Sequence, residues 1–141
     1  AIFERLESLV DQIGPQLNIA KKNIPNYQPM GCNGNIRLYK YEKGMSFGRH
    51  VDGTNKISRY SHGNTEVTVL LYLSSCKGGA TRFYPPTQKR KRNLGTAFEP
   101  QQGAVLFHVH GDRCLEHEAD PVQQGTKYIL RTDLVYGIPN S

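Results

Sequence analysis

The sequence predicts a mainly β protein, a barrel or jelly roll with one supporting helix at its N-terminus. Three observations carry this prediction: an apolar stripe with helical spacing at the start of the chain, a change to alternating apolar and polar residues from residue 36 onward, and a series of short strand-like runs separated by turn residues. Many short strands with regular turn signals between them are typical of barrels and jelly rolls.

The N-terminal helix is predicted over residues 2–13. Its apolar side chains fall on one stripe, made by Ile2, Leu6, Leu9 and Ile13. The Gly14-Pro15 pair predicts the end of this helix, and residues 14–35 are rich in Gly, Pro and Asn, which predicts irregular structure. We therefore divide a single domain into residues 1–35, a helix with irregular support, and residues 36–141, the β core.

The β core is predicted as eight strands, each a short run enriched in β-branched and aromatic residues. The predicted strands cover residues 36–41, 46–52, 66–73, 80–84, 95–99, 104–109, 115–118 and 128–136. Turn residues such as Lys43-Gly44 and Gln102-Gly103 separate the runs. The segment Ser58–Asn64 is predicted to be a loop, with His62 exposed to solvent.

The chain has 141 residues and a formal net charge of +6. This charge favours an acidic partner such as nucleic acid, an acidic peptide or a small dianion. Much of the excess lies in the basic run Lys89–Arg92. For this run a solvated loop is the main interpretation, and a nuclear-import signal or nucleic-acid patch is the alternative. No run of about 18 apolar residues is present, so we expect no membrane span.

Three widely spaced cysteines, Cys32, Cys76 and Cys114, argue against a disulfide framework. We expect reduced thiols in a cytoplasmic or nuclear protein, with one disulfide plus one free thiol as the alternative. No signal peptide is visible at the start of the sequence, and a targeting signal upstream of Ala1 is left open.

A metal site is predicted from the triplet His50-Val51-Asp52. Residues two apart on a strand point to the same face, so an imidazole and a carboxylate share one face. Ferrous iron is commonly bound by two imidazoles and one carboxylate on one face. His50 and Asp52 would supply one imidazole and the carboxylate. A surface histidine beside a turn aspartate is the alternative interpretation.

His117 is the candidate for the third ligand, because strands distant in sequence become neighbours in a jelly roll. His108 and His110 compete for this role at the end of an apolar run. We interpret each of these two as a structural histidine whose polar atoms are satisfied.

The last predicted strand carries two cations on one face, Lys127 and Arg131, together with Ile129. Two cations inside a barrel would be costly unless an anion paired with them. A dicarboxylate would do so, and an arginine can grip a carboxylate with two hydrogen bonds. A salt bridge at the rim of the barrel is the alternative for either cation.

These residues resemble the iron- and 2-oxoglutarate-dependent dioxygenases, within them the prolyl 4-hydroxylase-like branch. The resemblance covers about residues 36–136. It is carried by ordered blocks: Arg37–Gly53, Val69–Leu73, Gly78–Phe83, Gly103–Phe107, His117, Pro121-Val122 and Gly125–Lys127.

The resemblance implies a double-stranded β-helix that binds Fe²⁺ through His50, Asp52 and His117. It implies that 2-oxoglutarate and O₂ are consumed to hydroxylate a C–H bond, with release of succinate and CO₂, and that ascorbate assists the reaction. A protein or peptide is the favoured substrate, with proline as one candidate target.

The resemblance also implies a set of residues for 2-oxoglutarate. Lys127, ten positions after the second histidine ligand, would pair with the distal carboxylate, and Arg131 would share or replace that role. Tyr41 or Tyr39 is similar to the strand tyrosine that hydrogen-bonds the same carboxylate, and Thr81 is placed to line the pocket.

Several other functions stay open. A nucleic-acid oxidative demethylase would suit the basic charge, yet no aromatic stretch for base stacking lies beside the basic run. A small-molecule hydroxylase of the same superfamily is a further alternative. A non-catalytic jelly-roll binding module belongs to another class, and so does a zinc hydrolase using the same three ligands. No obvious general base supports the hydrolase.

Overall fold

The computed structural model describes residues 1–21, 23–86 and 95–140. The basic run Lys89–Arg92, predicted to be a solvated loop, lies outside these residues. The described chain forms these elements in order: α1 (Ile2–Leu17), β1 (Gln28–Cys32), β2 (Arg37–Tyr41), β3 (Phe47–His50), β4 (Ser61–Tyr72), β5 (Lys77–Gly78), β6 (Thr81–Tyr84), β7 (Thr96–Phe98), β8 (Val105–Val109), β9 (Glu116–Ala119), β10 (Val122–Gln124) and β11 (Lys127–Ile138). The 3₁₀ turn Gly111–Arg113 lies between β8 and β9.

The long strand β11 organises a five-stranded antiparallel sheet. It pairs with β4 along one edge, and with β2 and β1, one after the other, along its opposite edge; β8 pairs with the far side of β4. A second antiparallel sheet has the order β3-β9-β6-β7, and β5 pairs with β10. Strands far apart in sequence thus become neighbours. The predicted mainly β double-stranded β-helix with an N-terminal helix is confirmed.

Helix α1 runs to Leu17, so the prediction that it ends at Gly14-Pro15 is wrong. Pro15 lies in the last turn of the helix, where its missing N–H removes one backbone hydrogen bond. Continuing the helix brings Leu17 onto the core. The helix ends at Asn18, which has a left-handed conformation (φ 49°) and donates its backbone N–H to the Gly14 carbonyl at 3.2 Å.

All eight predicted runs contain a strand, but β1, β5 and β10 were not predicted. Residues 28–32 were expected to be irregular, and this expectation is wrong because they pair with β11. Pro29 is compatible with β1 because this strand pairs on one side only. The predicted loop Ser58–Asn64 is also partly wrong, since β4 begins at Ser61. His62 is exposed, as predicted.

The two faces of β4 serve different purposes. One face packs with α1 and β11 in a buried apolar cluster of Leu6, Val10, Val67, Val69, Leu134 and Tyr136. Each fully buried aliphatic side chain contributes roughly 1.5–3 kcal/mol of burial free energy, so this cluster fixes the helix on the sheet. The opposite face, with Thr68 and Leu70, is left to line a pocket between the sheets.

No two of the three cysteines are joined in a disulfide. Among the described residues, no helix has both the length and the hydrophobicity that crossing a bilayer requires.

Candidate functional site

Strand pairing brings the two predicted histidine ligands together. His50 ends β3 and is the direct cross-strand partner of His117 in β9, with ring centroids 4.2 Å apart. Asp52 follows β3 by two residues and is only 7% exposed, whereas the intervening Val51 is 58% exposed. The predicted alternation of the triplet is therefore present, with the carboxylate inward and the valine outward.

The three side chains converge on one point. Oδ1 of Asp52 lies 3.5 Å from Nε2 of His50 and 3.8 Å from Nε2 of His117, and the three ligand atoms lie within 4.8 Å of one another. An ion with bonds of about 2.1 Å holds ligand atoms at right angles roughly 3 Å apart. Two imidazoles and one carboxylate on one face fit ferrous iron and leave positions open for other ligands.

Both imidazoles are held with Nε2 facing this point. Nδ1 of His50 donates to the carbonyl of Gly48 at 2.8 Å, and Nδ1 of His117 donates to the carbonyl of Leu115 at 2.8 Å. Such hydrogen bonds fix the tautomer that leaves the Nε2 lone pair free for a metal. Burial also lowers the pKa of His117, which keeps that ring neutral, as a metal ligand must be.

The second oxygen of Asp52 is anchored by neighbouring strands. Thr68 on β4 donates its hydroxyl to Oδ2 at 2.6 Å, and Nη2 of Arg131 on β11 lies 3.3 Å from the same oxygen. Burial alone would raise the pKa of Asp52, but these contacts and the nearby imidazoles of His108 and His117 lower it below its ordinary value. The carboxylate is therefore ionised, with Oδ1 turned towards the imidazoles.

His108 and His110, which competed for the third ligand position, differ in whether their ring nitrogens have hydrogen-bond partners. His110 fulfils the prediction of a structural histidine: it is 6% exposed, and its Nε2 donates to the Thr68 hydroxyl at 2.6 Å. His108 does not, because its buried Nδ1 lacks a hydrogen-bond partner among the described residues. The prediction of a satisfied histidine is wrong for His108, whose Nε2 lies 3.5 Å from Oδ2 of Asp52.

A pocket opens beside the three converging side chains. All eight predicted site residues line it: Tyr39, Tyr41, His50, Asp52, Thr81, His117, Lys127 and Arg131. Thr68 and Leu70 line it too and were missed. Alternation along β4 places both side chains on the inward face of the strand. A polar threonine on that inward face was the feature of the sequence that could have indicated a site residue.

Lys127 is a buried cation for which the described residues supply no anionic partner. It is 1% exposed, and its Nζ donates to the carbonyl of Gly79 at 2.7 Å and lies 4.6 Å from the ring centroid of Tyr41. Among the described residues, no carboxylate oxygen lies within 4.0 Å of this ammonium. Burial lowers the pKa of Lys127, because the charged form loses its hydration.

Arg131 shares the inward face with Lys127 but has protein partners. Besides Asp52, its Nη2 lies 3.5 Å from Oδ1 of Asp133. The two cations are four residues apart on β11, which separates their Cα atoms by roughly 13 Å at the usual rise of a strand. Lys127 is therefore at a distance from the three converging side chains, whereas Arg131 adjoins them through Asp52.

The remaining predicted residues line the same pocket as Lys127. Tyr41 and Tyr39 on β2 are the cross-strand partners of Lys127 and Ile129. Thr81 on β6 shares a hydrogen bond with the buried hydroxyl of Tyr72, which holds it against the pocket.

Two histidines and one aspartate converge beside a pocket in a double-stranded β-helix. This arrangement is typical of the active site of a non-haem metal oxygenase. The model of the 2OG-Fe(II) oxygenase superfamily matches residues 36–132, and the chain belongs to this superfamily. It is thus a 2-oxoglutarate-dependent oxygenase, and ferrous iron, 2-oxoglutarate and O₂ are the cofactors this family implies. No curated protein sequence matches the chain.

Solved prolyl hydroxylases share the fold. The viral collagen prolyl hydroxylase of Paramecium Bursaria Chlorella virus-1, in its 2OG complex, is 22% identical with a TM-score of 0.57, over 96% of this chain and 74% of that one. A Pseudomonas putida prolyl-4-hydroxylase is 18% identical with a TM-score of 0.56, over 93% and 61%. A Trichoplax adhaerens prolyl hydroxylase in complex with a hypoxia inducible factor peptide is 25% identical with a TM-score of 0.58, over 93% and 55%.

Proposed function

We propose that this protein hydroxylates a C–H bond of a protein or peptide, with proline as the target residue, while 2-oxoglutarate is converted to succinate and CO₂. One observation carries the proposal. The predicted iron ligands converge in the same pocket that contains a buried ammonium without an anionic partner among the described residues. A divalent cation and a dicarboxylate would complete this arrangement of charges.

In this proposal His50, Asp52 and His117 hold the iron. The fit rests on the donor set and on the neutral, oriented imidazoles. Thr68 and Arg131 act on the metal site indirectly, because their contacts with Oδ2 of Asp52 keep Oδ1 directed at the ion. Such outer contacts commonly govern metal affinity.

Lys127 is the proposed partner of the distal carboxylate of 2-oxoglutarate. Its Nζ has one neutral acceptor, the Gly79 carbonyl, so a carboxylate would relieve the cost of a buried charge. Arg131 is less suited to this role because Asp52 and Asp133 already compensate it. Tyr41 lies beside the ammonium and offers a hydroxyl to the same carboxylate.

When bound, iron with 2-oxoglutarate supplies the oxidising chemistry by which O₂ is activated. The protein's contribution is orientation and the exclusion of water. Lys127 fixes one end of the cosubstrate, and the triad fixes the metal. Apolar side chains of Leu70 and Ile129 line the pocket between the sheets, which keeps the reacting centre dry.

The substrate class is proposed from the edge of the pocket and from the shared fold. Phe47 lines the pocket and is 48% exposed, and the neighbouring Val51 is 58% exposed. Exposed apolar side chains next to a metal centre suit an extended peptide better than a small polar substrate. The prolyl hydroxylases with the same fold suggest proline as the target.

The test measures succinate and peptide mass together. The protein is incubated with Fe²⁺, 2-oxoglutarate and O₂, and with ascorbate, which we expect to keep the iron ferrous. Proline-rich peptides are compared with peptides in which alanine replaces proline. We expect slow succinate formation without peptide, faster formation with the proline peptides, and a mass gain of one oxygen on proline.

The possible results distinguish the oxygenase activity from the choice of substrate. Absence of succinate under every condition would reject an active oxygenase and favour a binding module or a zinc hydrolase. Succinate formation that no peptide accelerates, with no gain of oxygen, would reject the peptide substrate but keep the oxygenase. The Asp52→Asn variant is the matched negative control for both readouts.

A further inference from the structure

A second group of potential metal ligands adjoins the proposed iron ligands and shares only His117 with them. One ring nitrogen each of His108 and His117, together with Sγ of Cys114, lie within 4.8 Å of one another. Tetrahedral zinc with bonds of about 2.0–2.3 Å holds its ligand atoms roughly 3.3–3.8 Å apart. Side-chain adjustments of about 1 Å would bring this group to that geometry.

His108 points to a ligand at this place. Its side chain is 10% exposed, and its Nδ1 is buried with no hydrogen-bond partner among the described residues. A buried polar atom without a partner is uncommon in folded proteins, and a bound ion is one of the recognised explanations.

Cys114 supplies the sulfur that distinguishes this group from the iron ligands. It follows the 3₁₀ turn Gly111–Arg113, is half-buried, and its Sγ accepts a hydrogen bond from the backbone N–H of Asp52 at 3.2 Å. That contact fixes the sulfur next to the pocket. Thiolate with imidazole favours thiophilic ions such as Zn²⁺, whereas a carboxylate with imidazole suits ferrous iron.

We propose that His108, Cys114 and His117 form a second metal site, selective for thiophilic divalent ions such as Zn²⁺. Occupation of this site excludes iron from the first site, because both need Nε2 of His117; Nδ1 of that ring is committed to the Leu115 carbonyl. This exclusion rests on the iron site proposed above, whereas the thiophilic site itself does not.

The test uses Cd²⁺ as the probe, because a cadmium–thiolate bond absorbs in the ultraviolet and reports sulfur ligation directly. Reduced protein is titrated with Cd²⁺ without 2-oxoglutarate. We expect the absorption to saturate at one equivalent, to vanish in Cys114→Ser, and to need at least tenfold more Cd²⁺ in His108→Ala. Serine keeps an acceptor for the Asp52 N–H, and Cys114→Ala is the second variant should serine disturb folding.

The control variants separate the two sites. Cys32→Ser, Cys76→Ser and Asp52→Asn should all keep the cadmium absorption. An absorption that persists in both Cys114 variants, or that disappears in Asp52→Asn, overturns the proposal. Circular dichroism and thermal melting of each variant establish that it is folded.

Competition with iron tests the shared ligand. Anaerobic Fe²⁺ should raise the Cd²⁺ concentration needed for half-saturation at least tenfold in the unchanged protein, and should have little effect in Asp52→Asn. Equal competition in the two proteins overturns the sharing of His117. Failure of the unchanged protein to bind Fe²⁺, measured separately by calorimetry, would instead count against the proposed function and leave the cadmium result standing.

Discussion

Replacing Lys127 with methionine should stabilise the protein and weaken 2-oxoglutarate binding at the same time. The Lys127 ammonium is 1% exposed, and burying one such ion costs about 5 kcal/mol after relaxation. The 2.7 Å hydrogen bond to Gly79 returns about 2 kcal/mol. The contact with the Tyr41 ring at 4.6 Å returns about 1.5 kcal/mol. A net cost of about 1–2 kcal/mol remains.

Methionine has a similar length and no charge, so Lys127→Met should raise the free energy of unfolding by about 1–2 kcal/mol. That corresponds to a rise in Tm on the order of 3–6 °C. Because the distal carboxylate of 2-oxoglutarate loses its proposed buried partner, its binding free energy should weaken by at least about 2 kcal/mol, or roughly 30-fold in Kd. Thermal melting of the protein without ligands measures the change in Tm, and calorimetric titration with 2-oxoglutarate measures the change in Kd.

The matched control is Lys40→Met on strand β2. Lys40 is 54% exposed and pairs with Glu42 at 3.2 Å, so the change should alter stability by no more than about 0.5 kcal/mol and leave 2-oxoglutarate binding intact. A lower Tm for Lys127→Met together with unchanged 2-oxoglutarate binding would refute the reasoning.

The stability gain of Lys127→Met should shrink as pH rises. Burial lowers the native pKa of Lys127 below its ordinary value of 10.5. Between the native and the ordinary value, the unfolded chain binds the proton more tightly than the folded one, so the unchanged protein gains stability with rising pH. The variant has no such group. If the difference in unfolding free energy between the two proteins stays constant from neutral pH to pH 10.5, the buried Lys127 charge is not the cause of the stability gain.

The remaining predictions concern the metal site. Asp52→Asn should lower metal affinity at least about 100-fold, measured with Mn²⁺ as a redox-stable substitute, and abolish succinate formation; near-normal turnover would contradict the ligand assignment. Thr68→Val removes the 2.6 Å hydrogen bond to Asp52 and should lower metal affinity about 10–100-fold, whereas Thr96→Val on exposed β7 should change nothing. Mn²⁺ at about 100 times its Kd should raise the free energy of unfolding by about 2.7 kcal/mol, and a chelator should reverse this. Identical melting with and without Mn²⁺ would rule out a native-state site.

Periodicity was sufficient to predict most strands of the fold, because alternation is strong wherever one face is buried. It failed at residues 28–32, where Pro and Gly within β1 are typical of loops. That strand forms because β11 extends far enough to pair with a second partner beyond β2. Tertiary pairing of this kind leaves no local signal. The end of α1 was misjudged for a related reason, since packing of Leu17 on the core outweighs the helix-breaking tendency of Pro15.

The site residues could be predicted only in part from sequence. His50 and Asp52 are neighbours in the chain, so alternation was enough to place them on one face. The cross-strand pairing of His50 with His117 is a matter of register between β3 and β9, for which the family resemblance was needed. The anchoring of Asp52 by Thr68 required the packing of one sheet against the other, and no spacing in the sequence encodes it.

The charges in the pocket explain why the proposed metal and cosubstrate should assist each other. Apart from the histidines and the neutral tyrosines, the ionisable side chains among the described residues lining the pocket are Asp52, Glu118, Lys127 and Arg131. Their formal charges sum to zero. A divalent cation alone would leave the pocket with two uncompensated positive charges, and 2-oxoglutarate alone with two negative ones. Together they restore neutrality, so each should bind more tightly when the other is present. Such coupling is reciprocal: the factor by which Mn²⁺ improves the Kd of 2-oxoglutarate must equal the factor by which 2-oxoglutarate improves that of Mn²⁺. Loss of the Lys127 charge leaves the empty pocket net negative, which should favour the metal when it binds alone and disfavour the dianion.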